Sequence, residues 1–334
     1  MRLQDLPRHL ARRCLGIPRF CRETLGVDLR GARLLVAYST GLDSTALLHL
    51  LHLLRVPLNL TISAAHAHHG LRPESDQELE HAVKTCQELG IPCATSLLDV
   101  PALQAASGDG LEECARKARY AFLESARQNA RADFIVTAHH GDDLAEDVVM
   151  RLLRGTGWPG LGGMAGVDPG RRLLRPLLDW DKSELQAFLE ETGITWREDS
   201  SNCASDRTRN RVRHDILPLL QRENPSFAKT ARQLWELARI DAEYWEKALP
   251  EILPPIEEYL LRQADLDVHQ ALRLRIYKSI LDAIGPGQAL AHHLLLLDKA
   301  WMRKNCGRSI QFPGDKIARV EAEGIRFHRQ CRQR

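Results

Sequence analysis

The sequence predicts an α/β protein: a doubly wound parallel sheet, followed by a mostly helical C-terminal domain with short terminal strands. Three observations carry this. From Arg33 to about Arg154, apolar strand-length runs alternate with amphipathic helical stretches. One of those runs stops at a small polar loop that opens at once into a leucine-rich helix. After Pro218 the pattern changes to helical stretches joined by proline-bearing turns.

The expected strands of the first half are Leu34–Tyr38, Leu58–Ala65, Cys93–Val100 and Phe134–Ala138. Apolar runs of this length between turn signals suit strands buried on both faces. Ser75–Leu89 reads as a helix, with Ser75 and Glu78 spaced as a capping box and Gly90 as its stop. Leu111–Asn129 is a second helix, turning Leu111, Ala115, Phe122 and Ala126 inward. Repeated βα units of this length imply a parallel sheet with helices on both faces. Glycines crowd residues 155–170, which marks a mobile or ligand-wrapping loop. Leu173–Leu178 then reads as a strand and Asp181–Thr192 as a well-capped helix, whereas 197–215 is polar and arginine-rich. Further helices are expected at 226–248, 255–264, 267–284 and 287–303. Strands at Ser309–Phe312, Ile317–Val320 and Ile325–Phe327 follow them. A boundary near residue 217 divides the chain into domains 1–217 and 218–334.

With 334 residues, two domains are the first expectation. Lys and Arg number 46 against 44 Asp and Glu, so any surface for nucleic acid is a local patch rather than a global charge. The eight cysteines include no C-x-x-C pair. That argues against zinc or an iron–sulfur cluster and fits reduced thiols in a cytoplasmic protein. No apolar run reaches membrane-spanning length. The N-terminal arginines lack the apolar core of a secretory signal, and a surface helix packed on the body is expected there.

The loop is Ala37-Tyr38-Ser39-Thr40-Gly41-Leu42-Asp43-Ser44. Amides at a helix start have no intrahelical partner, and the helix dipole adds positive charge there. Small residues and hydroxyls at Ser39, Gly41 and Ser44 let a phosphate approach. Asp43 repels phosphates unless a cation or a cap bond holds it. An ordinary strand-to-helix turn is the other reading.

Other clusters fall at strand ends, where open parallel sheets bind ligands. His66-Ala67-His68-His69-Gly70-Leu71-Arg72 follows the second strand; His66 and Arg72 suit adenine stacking or phosphate contact, and inert loop histidines are the alternative. After the fourth strand, Asp143 and Glu146 stand three apart on one helical face. Such a pair holds Mg²⁺ or grips an ammonium group, or merely favours the helix dipole. Glu112, Arg116 and Arg119 share a helical face, as a surface ion-pair row also would. Arg207, Arg209, Arg211 and Arg213 alternate in a run that suits phosphate backbones or a solvated surface.

The loop resembles the Ser-Gly-Gly-x-Asp-Ser pyrophosphate loop of the N-type ATP pyrophosphatases, the PP-loop group. Thr40 replaces the first glycine, costing about 1–2 kcal/mol if the backbone there is left-handed. The loop, His-Ala-His-His-Gly-Leu-Arg, Leu-Glu-Glu-Cys-Ala-Arg-Lys-Ala-Arg-Tyr, Ala-His-His-Gly-Asp-Asp, Arg151–Gly157, Glu198–Asn202 and Arg209-Asn210-Arg211 together resemble the tRNA(Ile)-lysidine synthetase family over about 33–217. Leu144 departs from that family's usual glutamine.

The resemblance implies an adenine nucleotide alpha hydrolase-like sheet and a C-terminal domain that binds tRNA. It also implies ATP-dependent ligation of lysine to C2 of the first anticodon cytidine of tRNA(Ile) with a CAU anticodon, through an adenylated tRNA, with Mg²⁺. Asp43, Arg116, Asp143, Glu146 and Arg211 are then the catalytic positions. Ala37 to Ser44, His66, Arg72 and Gly155 bind the nucleotide, and Asp43 and Asp143 hold the metal. Partners are tRNA(Ile) and free lysine, with no membrane, and a homodimer is left open. The rivals are a related tRNA thiolation enzyme, which usually needs a cysteine pair or cluster, and a catalytically degenerate nucleotide- or RNA-binding homologue.

Overall fold

The structure is a computed structural model describing residues 1–68, 74–98, 104, 110–197, 207–249 and 257–330. The chain forms two compact units, Met1–Asp147 with Met164–Gln233, and Val148–Gly163 with Leu234–Arg334.

In the first unit, helix α1 (Arg8–Glu23) precedes β1 (Arg33–Ala37), α2 (Leu42–Leu58), β2 (Thr61–His68), α3 (Glu74–Glu88) and β3 (Cys93–Leu97). Then come α4 (Leu111–Asn129), β4 (Phe134–Val136), α5 (Gly141–Leu153, of which Val148 onward belongs to the second unit), β5 (Val167–Asp168), β6 (Leu173–Leu174) and α6 (Lys182–Thr192). The sheet order is β3-β2-β1-β4-β6-β5, parallel except for the β5–β6 pair. Val36 pairs with Ala64 on one side and Val136 on the other. The winding therefore reverses beside β1, and the loops after β1 and β4 diverge into a crevice, the usual ligand position in such sheets.

Alternation along each strand builds two cores. Leu34, Val36, Ala64, Val136 and Leu174 face α1, α2 and α6, where Cys14, Ile17, Leu47, Leu51 and Phe188 are buried. Leu35, Ala65, Ile135 and Leu173 face α4 through Leu123 and Ala126. Helix α2 is apolar nearly all round because it is covered on nearly all sides. Each leucine so buried contributes about 1.5–3 kcal/mol. Helix α1 packs on the body through Leu10, Cys14, Ile17 and Cys21.

Several boundaries differ from expectation. The second strand begins at Thr61, because α2 runs through Pro57 and ends at Asn59 in a left-handed cap. Ser75 falls inside α3 rather than capping it. The strand expected over Leu173–Leu178 has only its first two residues in β6. The 155–170 loop contains β5, which pairs with β6. Helix α6 begins as expected, on the reciprocal Asp181/Glu184 capping box. The arginine-rich stretch forms α7 (Arg207–Arg211), a π-helical turn at Val212–Ile216 and α8 (Leu217–Glu223), so residue 217 lies within a helical run.

Helix α9 (Phe227–Ala248) leads into β7 (Glu258–Arg262), the short α10 (Gln263–Leu266), α11 (Gln270–Ile284) and α12 (Ala291–Met302). Strands β8 (Ser309–Phe312), β9 (Lys316–Val320) and β10 (Gly324–Arg329) follow. They form an antiparallel sheet in the order β7-β10-β9-β8. The helix expected over 255–264 is thus corrected: Glu258–Arg262 is a strand paired with β10, burying Leu261. Tertiary pairing overrides the helical propensity of that glutamate- and leucine-rich run. Tyr277, Ile280, Leu281, Leu297, Ala318, Ile325 and Phe327 fill the core. Within it, Arg273 Nε donates to Asp298 Oδ1 at 2.7 Å and Tyr277 Oη to the same oxygen at 3.2 Å. Among the described residues, no helix is long and apolar enough to cross a membrane.

Candidate functional site

The crevice is bounded by the starts of two helices. At the first, Gly41 is the extended cap of α2, so no side chain claims the first-turn amides. Ser39 N–H donates to Ser44 Oγ at 3.1 Å, and Ser44 Oγ–H donates to the Gly41 carbonyl at 3.1 Å. The Thr40 carbonyl accepts from Thr45 Oγ1 at 3.1 Å and from Arg197 N–H at 3.0 Å. Thr40 holds φ at 68°, the left-handed region, with its side chain buried. The β-branched residue therefore pays the steric penalty that glycine would avoid.

Tyr38 is in the core, leaving only its backbone at the loop. Its carbonyl contacts His66 Nδ1 at 2.9 Å. His66 is buried and braces the start of the loop rather than presenting a face for stacking. Ala37 ends β1, and Leu42 packs on the core. Gly155 sits in the turn after α5 at φ 71°, within the second unit. Arg72 lies outside the described residues, as do His69, Gly70, Leu71 and 198–206.

At the second helix start, Gly141 N–H donates to the Trp180 carbonyl at 2.7 Å. A Cβ on Gly141 would stand 2.4 Å from Arg232 Nη1, the movable end of a long side chain, and 3.1 Å from that carbonyl, so a larger residue requires both neighbours to give way. This fixes His140 and Asp143 at the crevice. His140 Nε2 lies 3.6 Å from Asp43 Oδ1 and 3.3 Å from Asp143 Oδ2, and its Nδ1 lies 3.4 Å from Asp142 Oδ2. Burial works against a charged His140, yet the carboxylates of Asp142, Asp43 and Asp143 outweigh it and raise the imidazole to about 10. His139 goes the other way: burial lowers it to about 4. Burial would raise Asp143, but the charge of His140 above all holds it below the ordinary carboxylate range.

Glu146, one turn on from Asp143, is buried. Its carboxylate pairs with Arg209, and Arg213 Nε donates to Oε2 at 2.8 Å. Arg213 Nη2 also reaches Asp143 Oδ1 at 3.2 Å. The expected acid pair thus forms, and the two arginines that meet it are Arg209 and Arg213. Arg211 is exposed and reaches Thr208 Oγ1 at 3.2 Å. The spacing explains the choice, since residues four apart share a helical face and the one between them does not. Arg116 is exposed and forks onto Glu113, at 2.9 and 3.0 Å. Arg119 lies over Tyr120, and the Glu112 side chain is outside the described residues. Leu144 is fully buried, so the leucine serves the core. His140 was absent from the expected site, although its place beside Asp142 and Asp143 at a strand end was the available signal.

The arrangement suits a triphosphate. Two helix starts offer positive potential where charge builds on a leaving pyrophosphate, and His140 offsets part of the negative charge of Asp43, Asp142 and Asp143. Asp43 Oδ1 is buried and accepts no hydrogen bond. With Asp143 across the imidazole, it offers hard oxygen donors of the kind that Mg²⁺ takes.

Comparison with known proteins agrees with this geometry. The PP-loop domain family matches residues 19–220. A tRNA(Ile)-lysidine synthase of Nitratidesulfovibrio vulgaris is 45% identical over 329 residues, covering 92% of this chain and 95% of the relative. One from Geobacillus kaustophilus is 38% identical over 247 residues, covering 73% of this chain but only 53% of the relative. The chain thus spans nearly all of the first and about half of the second. Among solved structures, the U34-tRNA thiolase NcsA of Methanococcus maripaludis matches with a TM-score of 0.56 at 21% identity, over 67% of this chain and 78% of that one, which is a likeness of fold. The phosphate loop, the crevice and these relatives lead to one assignment: the chain belongs to the tRNA(Ile)-lysidine synthase family of PP-loop proteins.

Proposed function

We propose that the chain joins free lysine to C2 of the first anticodon cytidine of tRNA(Ile) bearing CAU, giving lysidine. In the first step the cytidine O2 attacks the α-phosphorus of ATP, and pyrophosphate leaves. In the second the lysine ε-amine attacks C2, loses a proton, and expels AMP with the former O2. Asp43 and Asp143 would hold Mg²⁺, which would offset charge on the phosphates.

The amides at the head of α2 and the hydroxyls of Ser39 and Ser44 receive the β- and γ-phosphates. Asp143 and Glu146 take the lysine ammonium and draw its proton; the guanidiniums of Arg209 and Arg213 already occupy these carboxylates, so lysine must displace or join them. Arg116, whose fork rests on Glu113, would have to turn from that carboxylate to meet the lysine carboxylate, and the exposed Arg211 is available to the RNA. His66 positions the loop through Tyr38.

One observation carries the reading: a carboxylate of the phosphate loop and a carboxylate of the β4–α5 crossover meet on one imidazole, His140. The test supplies the purified protein with ATP, Mg²⁺, labelled lysine and a tRNA transcript with a CAU anticodon. Label enters the RNA, with one AMP and one pyrophosphate released per lysine. Consumption of ATP with no label in RNA sinks the reading.

A further inference from the structure

The strand ends opposite the nucleotide crevice carry a cluster that this reaction leaves unused. Arg33, Arg127, Arg131, Asp133 and Arg172 line an open groove of about 490 Å³. Arg33 opens β1, Asp133 precedes β4 and Arg172 precedes β6, while Arg127 and Arg131 come from the end of α4. Two of the four arginines are fixed by carboxylates. Arg33 Nη2 donates to Asp133 Oδ1 at 2.9 Å, and Arg127 forks onto Glu124 at 2.8 and 2.7 Å. Arg131 and Arg172 are exposed, and among the described residues neither comes within ion-pair distance of a carboxylate, although the charge of Arg172 is felt at Glu124. Positive charge is therefore in local excess, in a chain whose net charge is only +2.

The backbone adds a second observation. Arg131 holds φ at 50° and Arg172 at 51°. Both are left-handed positions, where glycine folds without steric cost and a longer side chain does not. Two arginines thus stand where folding alone favours glycine.

We propose that this groove binds phosphates of an RNA backbone, a proposal that rests on the reading of the chain as a tRNA-modifying enzyme. Guanidinium forks grip phosphate oxygens in pairs. The groove is open to solvent rather than enclosed, which suits a polymer passing over it better than a small anion held inside it. Each phosphate neutralised releases condensed counterions, so the contribution is visible in the salt dependence of binding.

The test combines Arg131→Gly with Arg172→Gly, which removes both unpaired guanidiniums at positions whose φ glycine accepts; a melting curve checks the fold. Arg12→Ala with Arg19→Ala, on the exposed face of α1, is a control of equal charge. In the groove variant the Kd for tRNA rises about tenfold at physiological salt, and the slope of log Kd against log salt becomes shallower by about 1.5. KM for tRNA rises while kcat holds, and Arg131→Lys with Arg172→Lys restores the slope. The control moves much less. Equal shifts in both variants, or none in the groove variant, overturn the proposal. Loss of inorganic pyrophosphate binding with tRNA affinity intact overturns it too, by marking a small-anion site. Failure of the unaltered protein to transfer lysine is a separate result, which removes the functional reading and leaves the RNA-binding measurement standing.

Discussion

Asp43 Oδ1, at the head of α2, lies 3.6 Å from His140 Nε2, just beyond β4. This contact joins the phosphate loop to the crossover that carries Asp143 and Glu146, across the point where the sheet reverses its winding. Asp43→Asn keeps the shape and removes the charge. Lysine transfer falls about a hundredfold and the Mg²⁺ requirement rises, with little change in melting temperature. A steady-state Mg²⁺ titration reads both; an unaltered titration with unaltered rate removes Asp43 from the site.

Thr40 is left-handed at φ 68° and buried. Thr40→Gly relieves a penalty of about 1–2 kcal/mol but gives up threonine burial and restricts the unfolded chain less. These offset, so stability by denaturant titration changes by less than about 1 kcal/mol. The KM for ATP stays level or falls. A rise in KM shows that the threonine side chain itself contacts the nucleotide.

Leu144 lies in the first turn of α5 and is fully buried. Leu144→Gln places an amide without partners in an apolar setting, at a cost of about 1–3 kcal/mol beyond the lost apolar contact. Thermal melting measures it. Undiminished stability means that the amide finds a partner in the crevice, so the position belongs to the site.

Arg273 and Asp298 form a buried pair in the second unit, with Tyr277 on the same carboxylate. Burial opposes the Asp298 charge, but its bonds from Arg273 and Gln270 hold the carboxyl below its usual range. A carboxyl depressed on folding contributes stability above the ordinary aspartate value of about 3.9, and that stability is lost as pH falls through the lower folded value. Asp298→Asn leaves Arg273 buried without a counter-charge and costs about 3–5 kcal/mol near neutral pH. The difference from the unaltered protein shrinks in acid. A pH series of denaturant melts shows this convergence, and a constant difference contradicts it.

The parts of the fold readable in advance are those where local pattern and tertiary role agree. The run Leu34–Ala37 stops at Ser39 because the sheet ends there, and the leucines of α2 crowd because both flanks are covered. Helix α6 likewise begins at Asp181, the cap expected from its sequence. Glu258–Arg262 was illegible because its strand state depends on β10, far along the chain. The arginines were half legible. Their number in 207–213 suggested anion contact, but only a helix there puts Arg209 and Arg213 on one face and Arg211 on another. His140 was missed because its charge comes from three carboxylates, one of them on a different crossover.

In the proposed reaction one crevice activates the RNA and then receives the amine. Its most direct measurement is single turnover with ATP labelled in the α-phosphate and lysine withheld. Label accumulates on tRNA and leaves as AMP when lysine is added; Asp43→Asn slows the first event, and Glu146→Gln slows only the second. Label that never reaches tRNA, while lysine transfer proceeds at its normal rate once lysine is present, contradicts it.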